Sequence, residues 1–273
     1  MSTKKKGAAP QVVLVLSDLH CGSDVAVLPT EVTLDDGQTL GHGKNKLQKW
    51  LWDKFQETQA LMVEKIGNDP FVLVLNGDLI EGMHHRSVEV VSAKMVEHLA
   101  IARAVLGPLV ERAHTTYVVK GTEVHTYDFE RVFAKEMGLG DAYDFIQFKV
   151  NDVLIDARHH MSCTSRLHLE STALGVLAAN NRSNAIRAGH EPARVFLRGH
   201  RHIPGTYSDG EVLVAATGAW QSLTRHGAKV VADSISRPSM LLLDWRGLPK
   251  GHLPSVTHTV CNPPQQLVAH CIP

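Results

Sequence analysis

Apolar residues along this chain occur in two patterns. Some form short unbroken runs that stop at glycine-containing polar turns. Others recur at three- and four-residue spacing over longer stretches. Val12-Val13-Leu14-Val15-Leu16 is a run of the first kind and predicts a strand buried on both faces. Phe71 to Leu75 predicts a second strand and Thr115 to Val119 a third. Phe145 to Val150 and Val153 to Ala157 flank Asn151-Asp152, a hairpin turn signal. Arg194 to Leu197, Glu211 to Ala216 and Ser239 to Trp245 complete the apolar runs. The second pattern predicts a helix over 46–66, with Leu47, Trp50, Leu51, Leu61 and Met62 on a stripe and Gly67-Asn68-Asp69-Pro70 as its stop. Further helices are expected over 87–113, capped by Ser87, over 128–137, and over 167–188. The loop from 22 to 45 is long for a structureless connection, and Val32 to Leu34 against Gln38 to Leu40 suits a short hairpin within it.

The order strand, helix, strand predicts parallel strands joined by right-handed crossovers. Parallel strands put their carboxyl ends on one rim, where open α/β sheets bind ligands. The runs at 211–216 and 239–245 suggest a second, more antiparallel sheet packed on the first. The chain reads as one domain over 11–273. Residues 1–10 form a disordered basic tail around Lys4-Lys5-Lys6, and 247–273, with Pro249, Pro254, Pro263 and Pro264, an irregular C-terminal wrap.

Composition narrows the class. At 273 residues and 44% apolar the chain can bury a sizeable core. Lys+Arg and Asp+Glu balance at 28 each, so no global basic field recruits nucleic acid, although a local groove is not excluded. Cys21, Cys163, Cys261 and Cys271 form no Cys-x-x-Cys pair, and the stretch from Met1 to Pro10 lacks the apolar core expected of a secretion signal. Free thiols in a reducing, cytoplasmic compartment are expected. No apolar run is long enough to span a bilayer, so no membrane partner is expected. Histidine is the outlier, at 17, and directs attention to metal ligation.

That attention falls on the strand ends. They carry Asp18 and His20, then Asp78, then Glu123 and His125, then His159 and His160, then His200 and His202. At strand spacing Asp18 and His20 would point the same way. Buried carboxylates beside imidazoles are costly unless something positive pairs them, and a divalent ion does so. Oxygen and nitrogen donors without thiolates suit Mn, Fe, Zn, Co or Ni. Six or more donors exceed one tetrahedral shell and suit two ions ~3.5–4 Å apart sharing a carboxylate.

In order and kind these motifs resemble the calcineurin-like metallophosphoesterases. The matching stretches are Asp18-Leu19-His20, Gly77-Asp78, Gly121-Thr122-Glu123-Val124-His125, His159-His160 and Gly199-His200-Arg201-His202, spanning Val12 to about Trp245. The resemblance implies an α/β fold of four layers, αββα, with two packed mixed sheets flanked by helices. It implies that Asp18, His20 and His202 hold one divalent metal, that His159 and His200 hold a second, and that Asp78 bridges them. Mn is favoured. His159 is preferred to His160 because it leaves the strand first. The third motif departs from the family: Thr122 stands where Asn is expected and Glu123 where His is expected. The Gly-Thr-x-x-His form looks like a phage or prophage variant, which would place the protein in a host cytoplasm. His125 is then the candidate for the displaced imidazole, as general acid or as ligand, and Glu123 either supplies an oxygen ligand or lies on the surface. The implied function is dimetal phosphoester hydrolysis, foremost of a phosphodiester, with a metal-bridging hydroxide as nucleophile. Arg86, Arg166 or Arg201 would neutralise phosphate. A nuclease or phosphomonoesterase of the same fold is the alternative, with a non-catalytic metal-binding scaffold third. Nucleic acid or a nucleotide remains open as substrate, as does a homo-oligomer.

Overall fold

A computed structural model describes residues 8–83, 89–161, 170–225, 227 and 236–264. Its strands and helices follow directly from the two apolar patterns. Strand β1 (Val12–Leu16) and β4 (Phe71–Asn76) are buried at every residue, as unbroken apolar runs require. They pair in parallel with Val12 beside Phe71, and the crossover between them is α1 (Lys46–Ile66). The side chain of Asn45 caps α1 by accepting from the Leu47 and Gln48 amides. The helix buries Leu47, Leu51, Phe55, Met62 and Ile66 along one face, and Gly67, at φ 65°, ends it. The short hairpin in the long loop forms as β2 (Val32–Thr33) and β3 (Thr39–Leu40). Helix α2 (Met95–Arg112) leads to β5 (Thr115–Val119), parallel to β4. Then come α3 (Glu123–Thr126), α4 (Phe129–Glu136) and β6 (Ala142–Tyr143), the last parallel to β5.

The second half adds the hairpin β7 (Ile146–Val150) and β8 (Val153–Ala157), whose turn residues Asn151 and Asp152 both have positive φ. Helix α5 (Glu170–Arg187) connects to β9 (Val195–Arg198), parallel to β8. Strands β10 (Gly205–Ser208), β11 (Leu213–Ala216), β12 (Ser239–Asp244) and β13 (Ser255–Val260) complete the chain. Two mixed sheets result, in the orders β13-β12-β1-β4-β5-β6 and β10-β11-β9-β8-β7.

Strand alternation divides the interior into three cores and gives four layers, αββα. Val12, Leu14 and Leu16 of β1 face α1 and α2, whereas Val13 and Val15 face the second sheet through Ile155, Leu197 and Ala215. Phe196 and Val214, on the far side of that sheet, pack under Leu174 and Leu177 of α5. Each fully buried Val or Leu contributes roughly 1.5–3 kcal/mol.

Several expectations are corrected. β12 does not belong to the second sheet: it lies antiparallel beside β1, with Leu14 opposite Leu242. β11 pairs antiparallel with β10 but parallel with β9, so the second sheet is mixed rather than mainly antiparallel. The wrap after 247 is not wholly irregular, because Ser255 to Val260, rich in β-branched residues, pairs with β12. Helix α2 begins at Met95, not at 87. The expected Ser87 cap, Arg86, Arg166, Cys163, the start of the 167–188 helix, residues 1–7 of the tail and residues 265–273 lie outside the described residues.

Candidate metal centre

The carboxyl ends of β1, β4 and β5 in one sheet meet those of β8 and β9 in the other. The site therefore sits on a rim shared by two sheets, not on one. Backbone bonds lock the loops together: Asp18 N–H to Gly77 O, His20 N–H to Asp78 O, Gly199 N–H to His159 O and Trp220 N–H to Asp18 O, each at 2.9 Å. The Asn76 side-chain amide crosses between sheets to the Arg158 carbonyl at 3.1 Å. Motif glycines make this approach feasible. A Cβ on Gly77 (φ 87°) would overlap the His159 ring, and one on Gly121 would overlap Asp78.

Asp18 and His20 do not converge by strand alternation, because β1 ends at Leu16. They converge because both adopt left-handed backbone, at φ 53° and 47°. Asp78, His200 and His202 do the same, at 51°, 72° and 59°. Non-glycine residues in this region cost on the order of 1–3 kcal/mol each, so the surrounding packing must enforce them. Such strain gathered at one spot is a mark of function independent of residue type.

The six predicted donors come together. His20 Nε2 and His202 Nε2 lie 3.1 Å apart, and His202 Nε2 is 3.4 Å from Asp18 Oδ1. His159 Nδ1 donates to the Asn76 carbonyl at 2.7 Å, which leaves Nε2 facing Asp78 Oδ2 at 3.0 Å and Asp18 Oδ1 at 3.8 Å. His20 Nε2 is 3.9 Å from Asp78 Oδ2, so Asp78 lies between the two imidazoles. The His200 amide donates to Asp18 at 3.0 Å, and its ring stands edge-on to His159 at 5.4 Å. Asp18-His20-His202, Asp18-Asp78-His159 and His159-His160-His200 each offer donor atoms within 4.8 Å of one another, a spacing that can hold an ion. His159 is buried and His160 exposed, with the His160 ring 4.6 Å from that of His200.

The third motif resolves into distinct places. Thr122 N–H donates to Asp78 Oδ1 at 2.5 Å, and its hydroxyl lies 3.1 Å from Asp78 Oδ2 and 3.2 Å from His200 Nδ1. Glu123 is exposed at the start of α3, and it is not among the converging donors. His125 stands edge-on to His20 at 5.1 Å. Arg201 is half-buried between His200 and His202. Cys21 is buried beside the site, but burial pushes its thiol up, and it joins none of the donor groups.

Electrostatics mark the cluster as demanding positive charge. Burial pulls the His20 imidazole down, yet Glu81, Asp78 and Asp18 raise it to about 9. Burial likewise opposes the charge on His159, and Asp78 and Asp18 raise it to about 10. Burial raises Asp18 against the pull of His159. Asp78 also suffers burial, but His159, His20 and His125 hold it well below the usual range. Burial and the neighbouring imidazoles push His200 down to about 4, and burial with His20 beside it holds His202 well below the usual imidazole range.

Two buried carboxylates escaped the sequence reading. Glu81 Oε2 contacts His20 Nδ1 at 2.7 Å. Glu130, on α4, accepts the Leu79 amide at 3.1 Å and the Gly121 amide at 2.6 Å, clasping the loops that carry Asp78 and Thr122. Burial, with Asp78 nearby, raises Glu130 to about 7. A Glu that opens no strand-end motif reads as a surface residue, and only folding reveals its burial.

The four layers and the shared rim define a mixed α/β sandwich with an Asp/His cluster able to hold divalent ions. No family model matches the chain, and no curated protein matches its sequence. Among solved structures the chain is similar to an archaeal phosphodiesterase, at 14% identity over 91% of this chain and 99% of that one, with a TM-score of 0.45. It is similar to the phosphoesterase YfcE of E. coli, at 12% identity over 92% and 100%, TM-score 0.43. It is also similar to Vps29 of Entamoeba histolytica complexed with zinc, at 12% identity over 92% and 99%, TM-score 0.41. These likenesses assign no role to any residue of this chain.

Proposed function

We propose that the protein is a dimetal phosphoester hydrolase, foremost a phosphodiesterase. The observation that carries this reading is the convergence of six nitrogen and oxygen donors from four strand ends, those of β1, β4, β8 and β9. Two ring nitrogens 3.1 Å apart, His20 Nε2 and His202 Nε2, need a proton or a cation between them. The donor set fits Mn, Fe, Zn, Co or Ni, with Mn favoured.

Asp18, His20 and His202 would hold one ion, and His159 and His200 the other, with Asp78 between them. Bound there, a pair of divalent ions supplies Lewis acidity towards phosphoryl oxygens and lowers the pKa of water towards ~7. The remaining work falls to this chain's residues. Thr122 fixes both oxygens of Asp78. Asn76 fixes the tautomer of His159 through its carbonyl. His125, beside His20, would hold the proton that the leaving oxygen requires. The substrate class is a phosphodiester or phosphomonoester, with nucleotides and nucleic acid included. Among the described residues, no helix is long and apolar enough to cross a membrane.

The test compares bis-aryl and mono-aryl phosphates at matched leaving groups, with added Mn and with chelator. Diester hydrolysis that chelator abolishes and Mn restores supports the reading. Monoester preference moves it to a phosphomonoesterase. Full metal content without turnover of either ester overturns it in favour of a scaffold.

A further inference from the structure

The two imidazoles at the heart of the site are held differently. His159 Nδ1 rests on a neutral backbone carbonyl, that of Asn76. His20 Nδ1 rests on a carboxylate, Glu81 Oε2, in a contact at 2.7 Å set by charge more than by a straight N–H···O line. Both partners are 1% exposed. Glu81 is itself fixed. Its backbone N–H donates to the Cys21 carbonyl at 3.0 Å, and its Oε2 accepts from Gln221 Nε2 at 2.8 Å. Gln221 is 3% exposed, pairs with Ala26 through an isolated bridge, and takes the Ser236 hydroxyl on its carbonyl. A chain of contacts thus runs from the segment between β11 and β12, through Gln221 and Glu81, to His20.

We propose that Glu81, anchored by Gln221, is a positioning residue that keeps the proton on His20 Nδ1 and aims Nε2 into the site, making the Asp18-His20-His202 position the tighter of two metal positions. The physical basis is general. A carboxylate behind a ligating imidazole fixes its tautomer and ring plane and raises its basicity, and losing such a partner costs about 10–100-fold in metal affinity. A carbonyl behind His159 fixes the tautomer equally well but lends no charge. The two positions therefore differ although both use imidazole. This inference rests on the dimetal reading.

The experiment measures binding of Mn and Zn to the full chain by competition with a calibrated chelator, for wild type, Glu81→Gln, Glu81→Ala and Gln221→Ala. Wild type is expected to bind two ions with distinct affinities. Glu81→Ala should weaken the tighter one about 10–100-fold and leave the other unchanged. Glu81→Gln, which keeps an oxygen but not the charge, should fall between them. Gln221→Ala, which touches no ligand, should weaken the same ion less than Glu81→Ala and covers the case in which Glu81 variants do not fold. A second readout is the ¹⁵N–¹H signal of His20 Nδ1 in the zinc form, which should be protected from exchange in wild type and lost in Glu81→Ala. Two ions bound with unchanged affinities in the Glu81 and Gln221 variants would overturn this inference and leave the dimetal reading intact. A wild-type chain that binds no metal would overturn both.

Discussion

Glu130 is the residue through which the site's dependence on its scaffold can be measured. Its carboxylate is 1% exposed and is the acceptor for two backbone amides, Leu79 and Gly121, next to Asp78 and Thr122. Glu130→Ala strands both donors. A buried unsatisfied polar group costs about 1–3 kcal/mol, so the pair amounts to roughly 2–6 kcal/mol. The sum depends on pH, and the sign follows from the raised folded value. Glu130 titrates at about 7 in the fold against 4.5 as its reference, so the folded chain binds the extra proton. Its stabilising contribution is complete below 4.5 and declines as pH rises through 7, by up to about 3 kcal/mol. The alanine variant lacks this titration. Its deficit against wild type should be largest near pH 5 and shrink above pH 7. Glu130→Gln keeps one acceptor and sets an amide against the other donor, a loss of about 1–3 kcal/mol without that pH trend. Urea unfolding of the metal-free chain at pH 5 and pH 8 reads all three. An alanine variant as stable as wild type at pH 5, or a deficit that grows with pH, refutes the clasp.

Three further outcomes are expected. Asp78→Asn should lose metal and turnover together, since the carboxylate lies between His20 and His159; elemental analysis showing full metal with unchanged activity would exclude a bridging role. His125→Ala should retain metal but slow hydrolysis of esters with poor leaving groups by about 10²–10⁴, while nitrophenyl esters, whose leaving oxygen needs no proton, lose little; an equal loss on both refutes a proton-donor role. Away from the site, burial with Arg237 nearby lowers His258 on β13 to about 4. The neutral form is the folded one, so its contribution is present above 6.5 and is lost as pH falls through 4, by up to about 3 kcal/mol. The acid-side loss of stability should be smaller in His258→Gln, and an identical loss in both proteins would show that His258 is not the titrating group.

The sequence by itself determined most of the buried strands and the main helices, and it singled out the candidate metal donors. Val12 to Leu16 and Phe71 to Leu75 can only be stable where both faces are covered, and Asn45 and Gly67 bracket α1 through local hydrogen bonding and positive φ. Asp18, His20, Asp78, His159, His200 and His202 were legible because each follows a buried strand, where a charged group demands a reason. Tertiary structure decided the rest, since partner choice and burial depend on residues remote in the chain. β12 reads the same whichever sheet it joins, and only its pairing with β1 places it. Left-handed backbone at five donors, enforced by contacts across loops, aims side chains that strand alternation would have aimed elsewhere. Glu81 and Glu130 are ordinary glutamates in sequence; only folding encloses them, the first against His20 and the second against the Leu79 and Gly121 amides.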